Sequence, residues 1–155
     1  MPAPPPVVLW LDPGGMTGFA ALISSRDYWA DEFAWEGACD RLTGWANYYH
    51  GMLHIGYEKF TILPGTHKLS AQPEAYEFPG VIKHIARQFG CHLLPPAMPR
   101  ERELATPAML QTLGWWVPGK NDAQSAAQHL LAFLLRENCL PYSQATALAR
   151  ARAAT

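Results

Sequence analysis

Charge is scarce in this chain. Asp, Glu, Lys and Arg make up 16% of its 155 residues, and twelve bases against thirteen acids leave a formal net charge of −1. That balance argues against a polycation that coats nucleic acid, while a local basic face stays open. Cysteine is also sparse. Cys39, Cys91 and Cys139 are an odd number without a CxxC spacing, which predicts reduced, buried thiols rather than a disulfide framework. The six histidines are scattered and form no HExxH, and no Cys/His cluster has the spacing of a zinc site. No apolar run approaches the ~20 residues that span a bilayer, so no membrane partner is expected. The opening MPAPPPVV has neither the basic nor the apolar region of a secretory signal. Glycine follows no collagen-like period, and no internal repeat is present.

Apolar material, by contrast, is plentiful. Hydrophobic residues are 49% of the chain, enough for the core of one domain. Residues 1–6 are expected to form a flexible Pro-rich tail, 7–137 the folded domain, and 138–155 an Ala/Arg-rich helical tail, exposed or used for contacts. The run Val7–Leu11, closed by Asp12-Pro13-Gly14-Gly15, reads as a buried strand and a turn. Thr17–Ser24 reads as a second strand, Ser25-Arg26-Asp27 as a hairpin turn and Tyr28–Trp35 as a third strand. From Glu36 to Leu53 the period changes. Ala38, Leu42, Trp45, Tyr49 and Met52 recur at three- and four-residue steps, the pattern of a helix with one apolar face. His54–Leu63 is the expected fourth strand. Glu74–Phe89 is the next helix, kinked or split at Pro79-Gly80. Cys91–Leu94 is a short fifth strand, Arg100–Leu113 a helix interrupted by Pro107, and Asp122–Glu137 and Ser143–Ala153 the last two helices. This order predicts an α/β fold: a mixed five-stranded sheet, three antiparallel strands and then parallel ones, with helices on both faces.

Three acids stand where a metal site would want them. Asp12 ends the first strand, Glu58 lies inside the fourth, and Asp122 opens the late helix. A central first strand beside the fourth would bring two of them to one end of the sheet, and a helix packed there would supply the third. Hard cations such as Mg²⁺ choose carboxylate and water oxygens, and two of them about 4 Å apart serve phosphodiester cleavage. Each acid also has an ordinary use: Asp-Pro-Gly turn chemistry, a solvent-facing strand position for Glu58, a helix cap for Asp122. Taken singly the ordinary use is preferred; the three in this order raise the metal reading.

The motifs resemble those of the phage-encoded RuvC-like Holliday-junction resolvases, members of the ribonuclease H-like superfamily. LWLDPGGMTGFA resembles that family's first-strand motif, and Glu58-Lys59-Phe60 its fourth-strand Glu-x-Phe. Glu77 and Gly80 resemble its Glu-x-x-Gly, and Pro96-Ala97-x-x-Arg100 its Pro-Ala-x-x-Lys with Arg for Lys. LGWWVPG followed by DAQSAAQHLL resembles its Leu-Gly-x-x-x-Pro-Gly and metal-binding last helix. The likeness runs over roughly Val7–Leu135. It implies an RNase H-like fold, an endonuclease dependent on Mg²⁺ or Mn²⁺, a branched DNA substrate such as a four-way junction, and the cytoplasm of a phage-infected host. Asp12, Glu58 and Asp122 carry over as catalytic metal ligands. The family's last helix has a second acid three residues after the first; here that position holds Ser125, a poor substitute for a carboxylate.

A resolvase must also hold phosphates. Lys59, Lys68, Lys83, Arg87, Arg100, Arg102 and Lys120 are the candidate cations, with Lys59, Lys68, Arg100 and Lys120 preferred beside the acidic motifs. Trp115 or Trp116 would stack on an unpaired base, with a core or dimer-packing role expected for at least one. His129 reads as structural, and His67 as a loop residue near Glu58. Trp45, Tyr48 and Tyr49 suggest a helix that packs on the sheet or in a homodimer, whose two-fold would suit a four-way junction. The alternative is a protein that keeps the fold without the chemistry: a DNA-binding or structural component that meets phage-particle proteins in the virion, motivated by Ser125.

Overall fold

The computed structural model describes residues 5–60 and 73–154. Its strands are β1 (Val7–Asp12), β2 (Met16–Ile23), β3 (Asp27–Ala34), β4 (Leu53–Tyr57) and β5 (His92–Leu93); its helices are α1 (Trp35–Tyr49), α2 (Pro73–Phe89), α3 (Pro107–Leu113), α4 (Asn121–Arg136) and α5 (Tyr142–Ala153). The strands form one sheet in the order β3-β2-β1-β4-β5. β1 pairs antiparallel with β2 and parallel with β4, so the mixed five-stranded α/β architecture expected from the sequence is the one found.

β1 lies in the middle because VVLWL is apolar on both faces of the pleat. Val8 and Trp10 join Ala20, Leu22 and the inner side of α4 in one core. Val7, Leu9 and Leu11 join Phe19, Ala21, Ile55 and the inner sides of α1 and α2 in the other. Helices therefore cover both faces. Two glycines let the layers close. A Cβ on Gly56 would stand 2.4 Å from the Trp10 ring, and one on Gly18 would stand 1.9 Å from the carbonyl oxygen of Asp122 in α4.

Several boundaries differ from the sequence reading. The hairpin tightens one residue early: Arg26 N–H donates to the Ile23 carbonyl at 3.1 Å, with Ser24 and Ser25 both at positive φ, the twist that suits antiparallel strands. α2 passes through Pro79 as a single helix, because Phe78 and Ile82 on either side are fully buried and hold the segment across the missing hydrogen bond. Pro107 does not interrupt a helix but starts one. Residues Pro99–Leu104 form a 3₁₀ segment, and α3 begins afresh behind Thr106, whose hydroxyl accepts from Met109 N–H. β4 stops at Tyr57, and Glu58 makes only an isolated bridge to Ala97. Residues 61–63 of the expected fourth strand, and His67 and Lys68 beyond it, lie outside the described residues. α5 lies against α3 and buries Leu148.

Candidate functional site

The pleat decides where the first two acids point. Trp10 and Gly56 are register partners on the α4 side of the sheet, and Asp12 and Glu58 each come two residues later. Glu58 N–H donates to the Leu11 carbonyl at 2.9 Å, which extends the β1–β4 pairing by one step. The two carboxylates thus emerge side by side at the carboxyl ends of two parallel central strands. Asp12 is half-buried, and its carboxyl is pushed up to about 6, first by burial and next by the charge of Glu58. Asp122 adds a smaller push, while the Ser125 hydroxyl, which hydrogen-bonds the carboxyl, and His129 pull the other way.

α4 supplies the opposite wall. Asp122, Ser125 and His129 are three and four residues apart and share one face of the helix. The bare backbone of Gly18 admits that helix, since any side chain there would strike Asp122. Asp122 does not cap α4. The free N–H groups of Asp122 and Ala123 donate to Glu32 Oε2 of β3 at 3.1 and 3.3 Å, so a carboxylate from an edge strand closes the positive end of the helix. Burial, and then Glu32, raise the Asp122 carboxyl above its ordinary range.

Glu58 is held by two cation-capable groups. Its Oε2 lies 2.5 Å from Nε2 of His129, a fully buried ring stacked on Trp10, and 3.5 Å from the Arg102 guanidinium. The same Arg102 nitrogen donates to Ser125 Oγ at 2.8 Å. His129 Nδ1 is buried without a hydrogen-bond partner among the described residues.

The three acids share one end of the sheet, yet among the described residues no group of three or more His, Cys, Asp or Glu side chains is close enough together to hold a metal ion. The donor chemistry fits one hard cation between Asp12 and Glu58, since Mg²⁺ is commonly held by one or two carboxylates plus water and substrate oxygens. Burial is the first cause of the elevated Asp12 carboxyl and the charge of Glu58 the second, and such a cation would relieve that second part. The residues do not fit the second cation implied by the resemblance, because Ser125 and Arg102 occupy that side.

The expected phosphate and base contacts are mixed. Lys59 is exposed on an open groove of about 520 Å³ lined also by Phe60, Tyr76 and Lys83, and Arg100 is exposed. Lys120 is ion-paired with Asp31, which pulls that carboxyl below its ordinary value. Trp115 corrects the expectation of a base-stacking ring: it is buried, stacked on Tyr28 at 4.5 Å, and its carbonyl accepts the Tyr28 hydroxyl at 3.1 Å. The ring is committed to the core, where loss of solvent raises the Tyr28 phenol.

Sequence reasoning misses the roles of three residues. His129 reads as structural, although its spacing from Asp122 and Ser125 puts it on their helix face. Arg102 is one of several candidate cations, and nothing local singles it out. Glu32 gives no signal, because β3 is half-buried along most of its length and carries polar residues on both sides.

No protein-family model matches the sequence, and no curated protein is similar enough to match. Solved structures do match. Thermus thermophilus RuvC in complex with a Holliday junction substrate superposes with a TM-score of 0.59 at 14% identity, covering 86% of this chain and 96% of that one. A second structure of Thermus thermophilus RuvC gives 0.57 at 13% identity over 86% and 97% of the two chains. At these identities the likeness is one of fold: the chain shares the mixed-sheet fold of the Thermus thermophilus RuvC structures.

Proposed function

We propose that this protein is a divalent-metal-dependent endonuclease that cuts branched DNA, with four-way junctions as the principal substrate. The observation that carries the reading is the pairing of Asp12 and Glu58 on adjacent strand ends beneath α4, with Asp12 raised by burial and by its neighbour. The fold it shares with a RuvC that binds a Holliday junction supports the substrate class. Asp12 and Glu58 would hold Mg²⁺ or Mn²⁺, with Asp122 reaching in from the helix side. An ion held there would supply a nucleophile from water and neutralise charge on the phosphodiester. His129 fixes the carboxylate plane of Glu58. Lys59, Arg100 and Lys83 bind flanking phosphates at the rim. A homodimer belongs to the same reading: α1 bears an open aromatic groove with Trp45 and Tyr48 beside Asp40 and Arg41, adjacent opposite charges that pair across a two-fold. Sedimentation of the protein as a monomer at high micromolar concentration would remove that part.

The test is nicking of a synthetic four-way junction with Mg²⁺ or Mn²⁺. Wild type should cut, and Asp12→Asn should lose on the order of a hundredfold or more in rate, because a positioned cation is worth several kcal/mol. Equal rates, or no cutting with either metal, would reject the proposal. A second reading has its own observation, namely Ser125 in place of an acid with Arg102 bonded to it. On that reading the protein binds branched DNA without cutting, as a structural component of a phage particle. Gel-shift binding without nicking, with nicking gained by Ser125→Asp, would select it.

A further inference from the structure

Charge must balance at the centre of the proposed endonuclease, the reading on which this inference rests. A centre with four carboxylates balances two divalent ions. This centre has three carboxylates, Asp12, Glu58 and Asp122, with Ser125 at the fourth position. The position is not merely vacated by the acid. The hydroxyl accepts from Arg102 at 2.8 Å, so the arginine is anchored at that position. Arg102 also lies 3.5 Å from Glu58 Oε2, and its side chain is 41% exposed, so one side of the guanidinium faces the acids while the rest is open to solvent.

We propose that Arg102 stands in for the second divalent ion: its guanidinium is the fixed positive charge on the Ser125 side, and the centre takes a single divalent cation. Arg102 supplies a fixed positive charge 3.5 Å from Glu58, on the side where a fourth carboxylate would otherwise call for a second ion. The exchange of acid for serine and the placement of arginine are then one change. A carboxylate at 125 would bind the guanidinium outright, whereas a neutral hydroxyl positions it and leaves its remaining N–H groups for a phosphate oxygen, the bidentate geometry arginine favours. The 3₁₀ segment is fitted to aim it. Met98 N–H donates to Glu101 Oε1 at 2.8 Å, Gln128 of α4 donates to the Ala105 carbonyl at 2.8 Å, and Arg136 of α4 pairs with Glu101, so the segment carrying Arg102 is tied to the helix carrying Ser125 at both ends.

The test counts ions rather than cleavage events. Mn²⁺ is titrated into the full-length protein by calorimetry, with free Mn²⁺ followed by electron paramagnetic resonance. Wild type and Arg102→Lys should take one ion per chain, and the double variant Arg102→Ala/Ser125→Asp should take two. Arg102→Ala alone should bind its one ion at least threefold more tightly, because Glu58 loses a competing cation; this single variant keeps the idea testable should the double variant fail to fold. Wild type binding two ions or none, the folded double variant still binding one, or unchanged affinity in Arg102→Ala would each overturn the proposal. Junction nicking is scored separately. Absent nicking with the ion counts as stated sinks the endonuclease reading, while nicking with two ions in wild type sinks only the role of Arg102.

Discussion

The two faces of the sheet are built from the same strands and have opposite fates at the carboxyl end. On the α1/α2 face, Val7, Leu9 and Leu11 run unbroken against Leu42, Phe78 and Ile82, all within a few per cent of full burial. On the α4 face the alternate residues start the same way, with Val8 and Trp10 in the core, and then end on Asp12 and Glu58 against Ser125 and His129. One face uses its whole length for packing. The other stops packing one residue short and places charge where the helix can shield it without sealing it. Stability and chemistry are therefore separable by parity along β1.

Damage to each face in turn tests that division. Leu9→Ala, on the packing face, should lose about 3 kcal/mol of unfolding free energy, from lost burial and the cavity left behind, while the folded fraction binds Mn²⁺ as wild type does. Gly18→Ala, on the α4 face, should cost about 2 kcal/mol, because its Cβ needs the space of the Asp122 carbonyl, and should also weaken ion binding by moving α4 off the sheet. Chemical denaturation and calorimetry on both variants check this. Ion binding that falls with Leu9→Ala and not with Gly18→Ala would undo the division.

A smaller effect follows from Asp12 in metal-free buffer. A carboxyl raised from 3.8 to about 6 takes up a proton more readily in the folded chain than in the unfolded one. Its charge therefore costs nothing below pH 4, and the cost grows until pH passes about 6. Wild type should lose on the order of 2 kcal/mol of stability over that window, and Asp12→Asn should not, leaving the variant the more stable protein at pH 7. Denaturation curves at pH 4, 5, 6 and 7 decide it; parallel profiles would show that Asp12 carries no such burden. The smallest effect is remote from both faces. Ser25→Gly in the β2–β3 turn, where φ is 64°, should add about 0.5 kcal/mol by relieving a left-handed conformation, with no change in ion binding.

Much of this architecture is legible in the residues. The apolar run before Asp12 and the period change after Trp35 mark the first strands and the first helix, and the acids of β1 and α4 fall where sequence order puts them. Glu58 is expected inside a strand and lies just past its end, because side-chain bulk marks a strand's middle better than its edge. What stays hidden depends on contacts far apart in the chain. Arg102 reaches Ser125 across 23 residues, and His129 reaches Glu58 across 71. Trp115 looks available for stacking because nothing local reveals that Tyr28, 87 residues away, covers it.

If the protein binds DNA as proposed, the carboxylate of Glu32 on the first amides of α4 limits where the nucleic acid can approach. A helix start of this kind ordinarily welcomes a phosphate. Here the berth is already taken by an anion of the protein's own, so a DNA backbone gains little by arriving along β3. On the proposed reading it would be steered instead to the opposite rim, where Lys59 and Arg100 stand open and Arg102 lies beside the acids.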